Sequence, residues 1–118
     1  PVDPAALLQL SLAAERAGHL ATARDALVRY TTLSSDGLAG PERALHLGEL
    51  SMRLNEPEAA AAWFAHAAQA PGAGPTAFMR LAQAELRLGR RQAARAAVER
   101  GLRHDPGHAG LLQLAATL

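Results

Sequence analysis

His104 and His108 stand four residues apart, the spacing at which a helix can offer two imidazoles to one zinc ion. Asp105-Pro106-Gly107 falls between them and interrupts any helix, so the two rings do not share a helical face. No cysteine occurs in the 118 residues and no third ligand is recognisable nearby. The pair therefore reads as part of a structural loop. His19, His46 and His66 are scattered and fit turn or helix-surface positions. No Ser–His–acid order stands out. The "GAG" at 72–74 lacks the spacing, the lysine and the preceding strand of a phosphate-binding loop. These residue types point away from an enzyme, and no cofactor or metal is expected.

The arginines are the other chemistry on offer. "LRLGRRQAARAAVERGLRHDPG", residues 86–107, holds six of them. Residues 75–118 carry seven arginines against Glu85, Glu99 and Asp105, although the formal net charge of the chain is only +1. A dedicated nucleic-acid binder sets a denser basic stripe among base-stacking aromatics. Here acids interleave, lysine is absent, and there is one Trp and one Tyr. Nucleic-acid binding is therefore the least favoured reading. Lysine, isoleucine and cysteine are all missing while alanine and leucine dominate, as a GC-rich bacterial coding genome would give. Lack of cysteine removes disulfides and thiolate chemistry without fixing a compartment. No apolar run approaches the roughly 18 residues of a membrane span, so no membrane insertion is expected. The sequence carries no signal-peptide pattern. It starts at Pro1 and not at a methionine, as an excised segment of a longer protein would.

The elements that would position these groups are helices. Prolines suited to a first turn open segments at Pro4, Pro41, Pro57 and Pro75. Breakers close them at Gly18, Asn55, Pro71-Gly72, Gly89 and Asp105-Pro106-Gly107, and the stretch SSDGLAG separates the second segment from the third. No segment alternates in the manner of a strand. The pattern predicts six helices in three hairpins, then a short apolar seventh segment, AGLLQLAATL. The hairpins are copies. Leu10, Leu47 and Leu81 fall at intervals of 37 and 34, and so do Ala23, Ala60 and Ala94, then Leu27, Phe64 and Val98, and the breakers Gly18, Asn55 and Gly89. One hairpin cannot bury its apolar face alone, whereas stacked copies bury a continuous core, with small residues such as the three alanines where helices approach closely.

This resembles the tetratricopeptide repeat family, whose 34-residue, two-helix unit carries W-x₂-L-G-x₂-Y, A-x₃-F and a closing Pro. Residues 75–108 match best, with Phe78, Leu81-Ala82, Ala94 with Val98, and Pro106. Residues 41–73 supply Leu47-Gly48, Ala60 with Phe64, and Pro71 one position early. Residues 4–37 are the weakest, with Leu7, Leu10-Ser11 and Ala23 with Leu27, Tyr30 at a usually small position, and no closing Pro. The resemblance implies an all-α, right-handed α-solenoid of antiparallel helical hairpins, a single domain over 1–118 with a capping or partial helix at 109–118. Other helical-hairpin solenoids are the rival. Two departures carry expectations. Glu85 stands in place of the family's tyrosine and is either exposed at the end of the array or paired with an arginine such as Arg100. The three extra residues after the first unit should loosen the packing of unit one on unit two.

Within this frame Ala94, Ala97, Val98 and Leu102 face inward, and Arg91, Arg95 and Arg103 form an exposed face with local ion pairing through Glu99. On the first helix of each hairpin, Leu7, Leu10 and Ala14 define the packed face. Leu8, Leu12, Glu15 and Arg16 lie on another, followed by Leu45, Glu49, Met52 and Arg53 and then Met79, Gln83, Leu86 and Arg87. The resemblance implies that this second set lines a concave, peptide-holding surface. The result is an apolar trough edged by Arg16, Arg53 and Arg87, unless those arginines are simply solvated. Family members that clamp a terminal carboxylate use lysine and asparagine where Leu8 and Leu12 stand, so that activity is not expected. The expected function is a non-catalytic scaffold for a protein or peptide partner, amphipathic or extended, with apolar anchors and acidic flanks. The alternatives are self-association, as a homo-oligomer or within a larger repeat protein, and nucleic-acid binding through the C-terminal arginines.

Overall fold

The computed structural model describes residues 3–33 and 40–118; most of the SSDGLAG segment lies outside that range. Seven helices follow one another: α1 (Pro4–Arg16), α2 (Leu20–Leu33), α3 (Pro41–Arg53), α4 (Pro57–Gln69), α5 (Pro75–Arg87), α6 (Arg91–His104) and α7 (Ala109–Thr117). No strand occurs among the described residues. The fold is an all-α solenoid, 48 × 27 × 20 Å, in which α1 packs on α2, α3 on α4 and α5 on α6.

Local signals fix the helix ends. Proline sits in the first turn of α1, α3, α4 and α5, where its missing N–H has no helical partner to lose. The carboxylate of Asp3 accepts from Ala5 N (3.1 Å) to cap α1. The three hairpin turns share one geometry. Gly18, Asn55 and Gly89 all take a positive φ (82°, 60° and 75°). The next amide then donates back across the turn, from His19 to Ala14 O (2.8 Å), Glu56 to Ser51 O (2.8 Å) and Arg90 to Glu85 O (2.9 Å). This six-to-one bond is the Schellman motif, repeated at the intervals of the sequence.

The core is built of small residues facing large ones. Ala23, Ala60 and Ala94 are fully buried, and Leu27, Phe64 and Val98 are buried beside them. The largest of these three, Phe64, meets the smallest counterpart: a Cβ on Gly48 would stand 2.6 Å from its Cδ1 and 2.8 Å from its Cζ. Gly101 plays the same part at the other end, where a Cβ would lie 2.7 Å from Leu111 Cδ1 and 2.9 Å from Phe78 Cβ. Thus α7 seats Leu111 on α5 and α6. Ala94, Ala97 and Val98 are buried and Leu102 is half-buried, facing inward as the spacing predicts.

Four expectations are corrected or sharpened. Leu10 is 49% exposed, and Ser11 takes the buried place between Leu7 and Ala14. Its counterparts are covered by a preceding hairpin, Leu47 by α2 and Leu81 by α4, whereas no described hairpin precedes α1. Glu85 is buried, and its partner is Arg90 (3.5 Å), not Arg100. The Schellman turn that folds Arg90 N onto Glu85 O also brings the two side chains together. Glu99 joins no ion pair among the described residues, and Arg91 donates instead to Thr117 O (3.1 Å), tying α6 to α7. The loosening between the first two units is real: α2 lies less closely on α3 than α4 does on α5, and the backbones of α1 and α3 nowhere come close, so that only side chains link them.

Candidate interaction groove

Because α1 and α3 stand apart, a cleft of about 570 Å³ opens between them, lined by Leu8, Leu12, Leu27, Pro41, Arg43 and His46 among others. A second, of about 350 Å³, is lined by Leu12, Glu15, Arg16, His46 and Arg53. A third, of about 270 Å³, lies between α3 and α5, with Phe64 and Met52 as its apolar surface and Glu49, Arg53, Arg80 and Gln83 around it. The first two share Leu12 and His46, and the last two share Arg53. Together they make one groove across α1, α3 and α5.

Most of the groove charges already have partners. Glu15 Oε1 accepts from His46 Nε2 (2.7 Å), and its other oxygen lies 3.6 Å from Arg53 Nη1, so this carboxylate braces α1 against α3. Glu49 Oε1 lies 3.5 Å from Arg80 Nε, in a geometry that leaves that buried N–H without a hydrogen bond. Arg80 Nη1 donates to Gln83 Oε1 (3.3 Å). The Arg43 guanidinium sits 4.5 Å from the centre of the Tyr30 ring. Arg16 joins no ion pair among the described residues.

The structure therefore brings Leu8, Leu12, Arg16, Glu49, Met52, Arg53 and Gln83 into these clefts. Leu8 and Met52 are half-buried against the core, and Leu12 is 44% exposed. Leu45, Met79, Leu86 and Arg87 line none of the three. Leu45 packs inward against the buried alanines of α3, α4 and α5. Met79 is half-buried beside α7, where a Cβ on Gly110 would meet its Sδ at 2.5 Å, and Leu86 belongs to the cluster that holds Leu111. Arg87 reaches across a turn to Asn55 Oδ1 (2.6 Å). Sequence reasoning missed His46 and Arg80. Arg80 had a usable signal, since it precedes Gln83 by three residues and Gln83 is the repeat counterpart of Glu49. His46 had none, because its partner Glu15 comes from another unit. His104 and His108 hold no metal-like cluster among the described residues. His104 stacks on Phe78, and His108 Nδ1 caps α7 by accepting from Leu111 N (3.2 Å).

Residues 75–118 match the family model for the tetratricopeptide repeat. No curated protein gave a significant sequence match. Among solved structures the chain is similar to a TPR repeats protein from Bacteroides fragilis (21% identity, 99% of this chain and 51% of that one, TM-score 0.85). It is also similar to MamA (20% identity, 98% and 66%, TM-score 0.80). A third likeness is to the first TPR of Spaghetti bound to an HSP90 peptide (16% identity, 97% and 88%, TM-score 0.76). The chain thus spans about half of the Bacteroides protein and about two thirds of MamA. The sequence of the last hairpin and helix matches the tetratricopeptide repeat, and the whole chain has the fold seen in tetratricopeptide-repeat proteins.

Proposed function

We propose that the chain is a non-catalytic interaction scaffold, one domain whose three hairpins hold a partner peptide or helix in the groove of α1, α3 and α5. The observation that carries this is the continuity of the three clefts from Leu8 to Gln83. Their apolar surface is open at Leu12, two of their three acids, Glu15 and Glu49, are already engaged while Glu42 stands exposed at the far end, and Arg16 and Arg53 stand exposed at the rim. Such a surface suits a segment with apolar anchors and acidic flanks. That the first TPR of Spaghetti is seen with a bound peptide supports the same use of this fold. Leu8 and Leu12 argue against a clamp for a terminal carboxylate of the lysine–asparagine type.

The test is to select binding peptides from a random library and map the footprint by amide exchange. Protection along α1, α3 and α5 is expected. Protection centred on Arg91, Arg95 and Arg103 would overturn the groove reading. A second reading, end-to-end self-association, rests on Leu10 and Leu112, which are 49% and 47% exposed in the first and last helices. Light scattering on the purified chain separates the two, since a clean monomer rules out the second.

A further inference from the structure

A cavity of about 590 Å³ lies where the end of α4 and the segment 70–73 meet the last turns of α6, and it shares no residue with the groove. Arg100, Arg103 and His104 line it, three and four residues apart and hence on one face of α6. Phe78 organises two of them. The Arg100 guanidinium sits 5.1 Å from the ring centre, and the His104 imidazole stacks on the ring at 5.0 Å with 28° between the planes. The other wall is Ala68, Ala70, Pro71 and Ala73, with Gly72 and the exposed amide of Gln69 among them.

No carboxylate lines this cavity, and neither Arg100 nor Arg103 joins an ion pair among the described residues. The acids around it are engaged or turned elsewhere. Glu58 and Glu85, which border a neighbouring furrow together with Arg100, are held by Arg90 at 3.1 and 3.5 Å. Asp105 Oδ1 accepts from Gly107 N (3.3 Å). Glu99 is exposed, about 100° around the helix from Arg100, and although it stands one turn before Arg103 it forms no ion pair with it. Cations in a last helical turn complement the helix dipole, which accounts for Arg103 and His104. It does not account for Arg100, one turn earlier and laid against the ring, or for a cavity with no counter-charge.

We propose that this cavity is a second recognition site, independent of the groove, for an acidic peptide segment. A carboxylate side chain seats between Arg100 and Arg103, whose planar forks suit it. A neighbouring residue of the same segment lies against the alanine–proline wall. A free phosphate would leave that wall uncovered. A nucleic-acid base has no ring face to stack on at Phe78, which is only 2% exposed.

The experiment is a titration of the isotope-labelled full chain with a capped peptide of sequence Ala-Glu-Glu-Asp-Leu-Ala, followed by amide chemical shifts. Saturable shifts are expected at residues 69–73, Phe78 and 100–104. The double variant Arg100→Ala/Arg103→Ala should weaken binding about tenfold or more, the loss of one charge-assisted pair. The control Arg91→Ala/Arg95→Ala, which removes as many charges from the same helix, should change it less than about twofold, since those charges lie farther off and are screened. Arg100→Lys/Arg103→Lys keeps the charge without the forks and should fall between. Shifts confined to α1, α3 and α5, no saturation, or equal losses in the two alanine variants would overturn the proposal; the first result would leave the groove reading standing. Tighter binding of inorganic phosphate or of an RNA hexamer than of the peptide would overturn the assigned ligand class.

Discussion

A single methyl group at Gly48 probes the packing that holds the second hairpin together. The added Cβ would meet Phe64 Cδ1 at 2.6 Å and Cζ at 2.8 Å. Carbon pairs rest at about 3.5–4.0 Å, so the ring has to retreat by roughly 1 Å. Phe64 is buried among Ala60, Ala61 and Ala84, with Leu45, Met52 and Leu81 around them, and the one open side it has is the cleft it shares with Met52 and Gln83. Overpacking of this kind costs about 1–3 kcal/mol, and the upper half of that range applies because the three nearest atoms all belong to one buried ring. Alanine returns about 0.8–1 kcal/mol over glycine inside a helix. The net expectation for Gly48→Ala is a loss of about 1–2 kcal/mol, or a fall in melting temperature of roughly 4–10 °C. The third hairpin has solved the same problem in the opposite sense, with Ala82 facing the smaller Val98. Phe64→Leu should therefore relieve the clash, and the double variant should be more stable than the sum of the singles by about 1 kcal/mol. Urea unfolding followed by circular dichroism measures all four corners of the cycle. Additive losses, or a Gly48→Ala variant more stable than the parent, would refute the reasoning.

The remaining expectations concern α7 and the groove. Leu111→Ala should lower stability by about 2–5 kcal/mol, and removal of residues 109–118 should cause aggregation by baring Gly101 and its surroundings; thermal melts and light scattering check both. Leu12→Asp should leave stability within about 0.5 kcal/mol while abolishing binding of a selected groove peptide, as calorimetry would show. Met79→Asp is a poorer probe, because it would unseat α7 from beside Gly110. Arg53→Ala should weaken peptide binding by no more than about 1 kcal/mol, mainly in the association rate and less at high salt, which surface plasmon resonance at two ionic strengths would resolve.

What the sequence makes legible is what local chemistry decides. Proline in a first turn and a residue of positive φ after the last act within a few residues of themselves, so Pro41, Pro57, Pro75, Gly18, Asn55 and Gly89 marked helix ends that the structure keeps. The repeat intervals likewise placed Ala23, Ala60 and Ala94 in the core. Leu10 was misplaced because its burial depends on a neighbour hairpin and not on its own helix. Glu85 does pair with an arginine, but with Arg90 and not the Arg100 offered as an example, because helical spacing says nothing about where a Schellman turn returns the chain. Met79 shares a register with Leu8, and Leu86 with Met52, yet α7 half-covers them. The cavity at Phe78 was invisible for the same reason, since α4, α5 and α6 each supply part of it.

The gap between α1 and α3 has a thermodynamic meaning. In a linear array, cooperativity is carried only by contacts between neighbours, and it fails first where those contacts are fewest. Here that place is the joint between the first two hairpins, spanned by a sparse α2–α3 contact and by the Glu15 carboxylate shared between His46 and Arg53. The expected consequence is that α3 to α7 unfold as one block, with the α1–α2 hairpin opening on its own at lower free energy. The groove straddles that joint. A ligand reaching from Leu12 to Met52 binds only molecules in which the joint is closed, so part of its intrinsic affinity is spent on closing it. In return it fuses two folding blocks into one, and the sign of its binding is the disappearance of the early melting step.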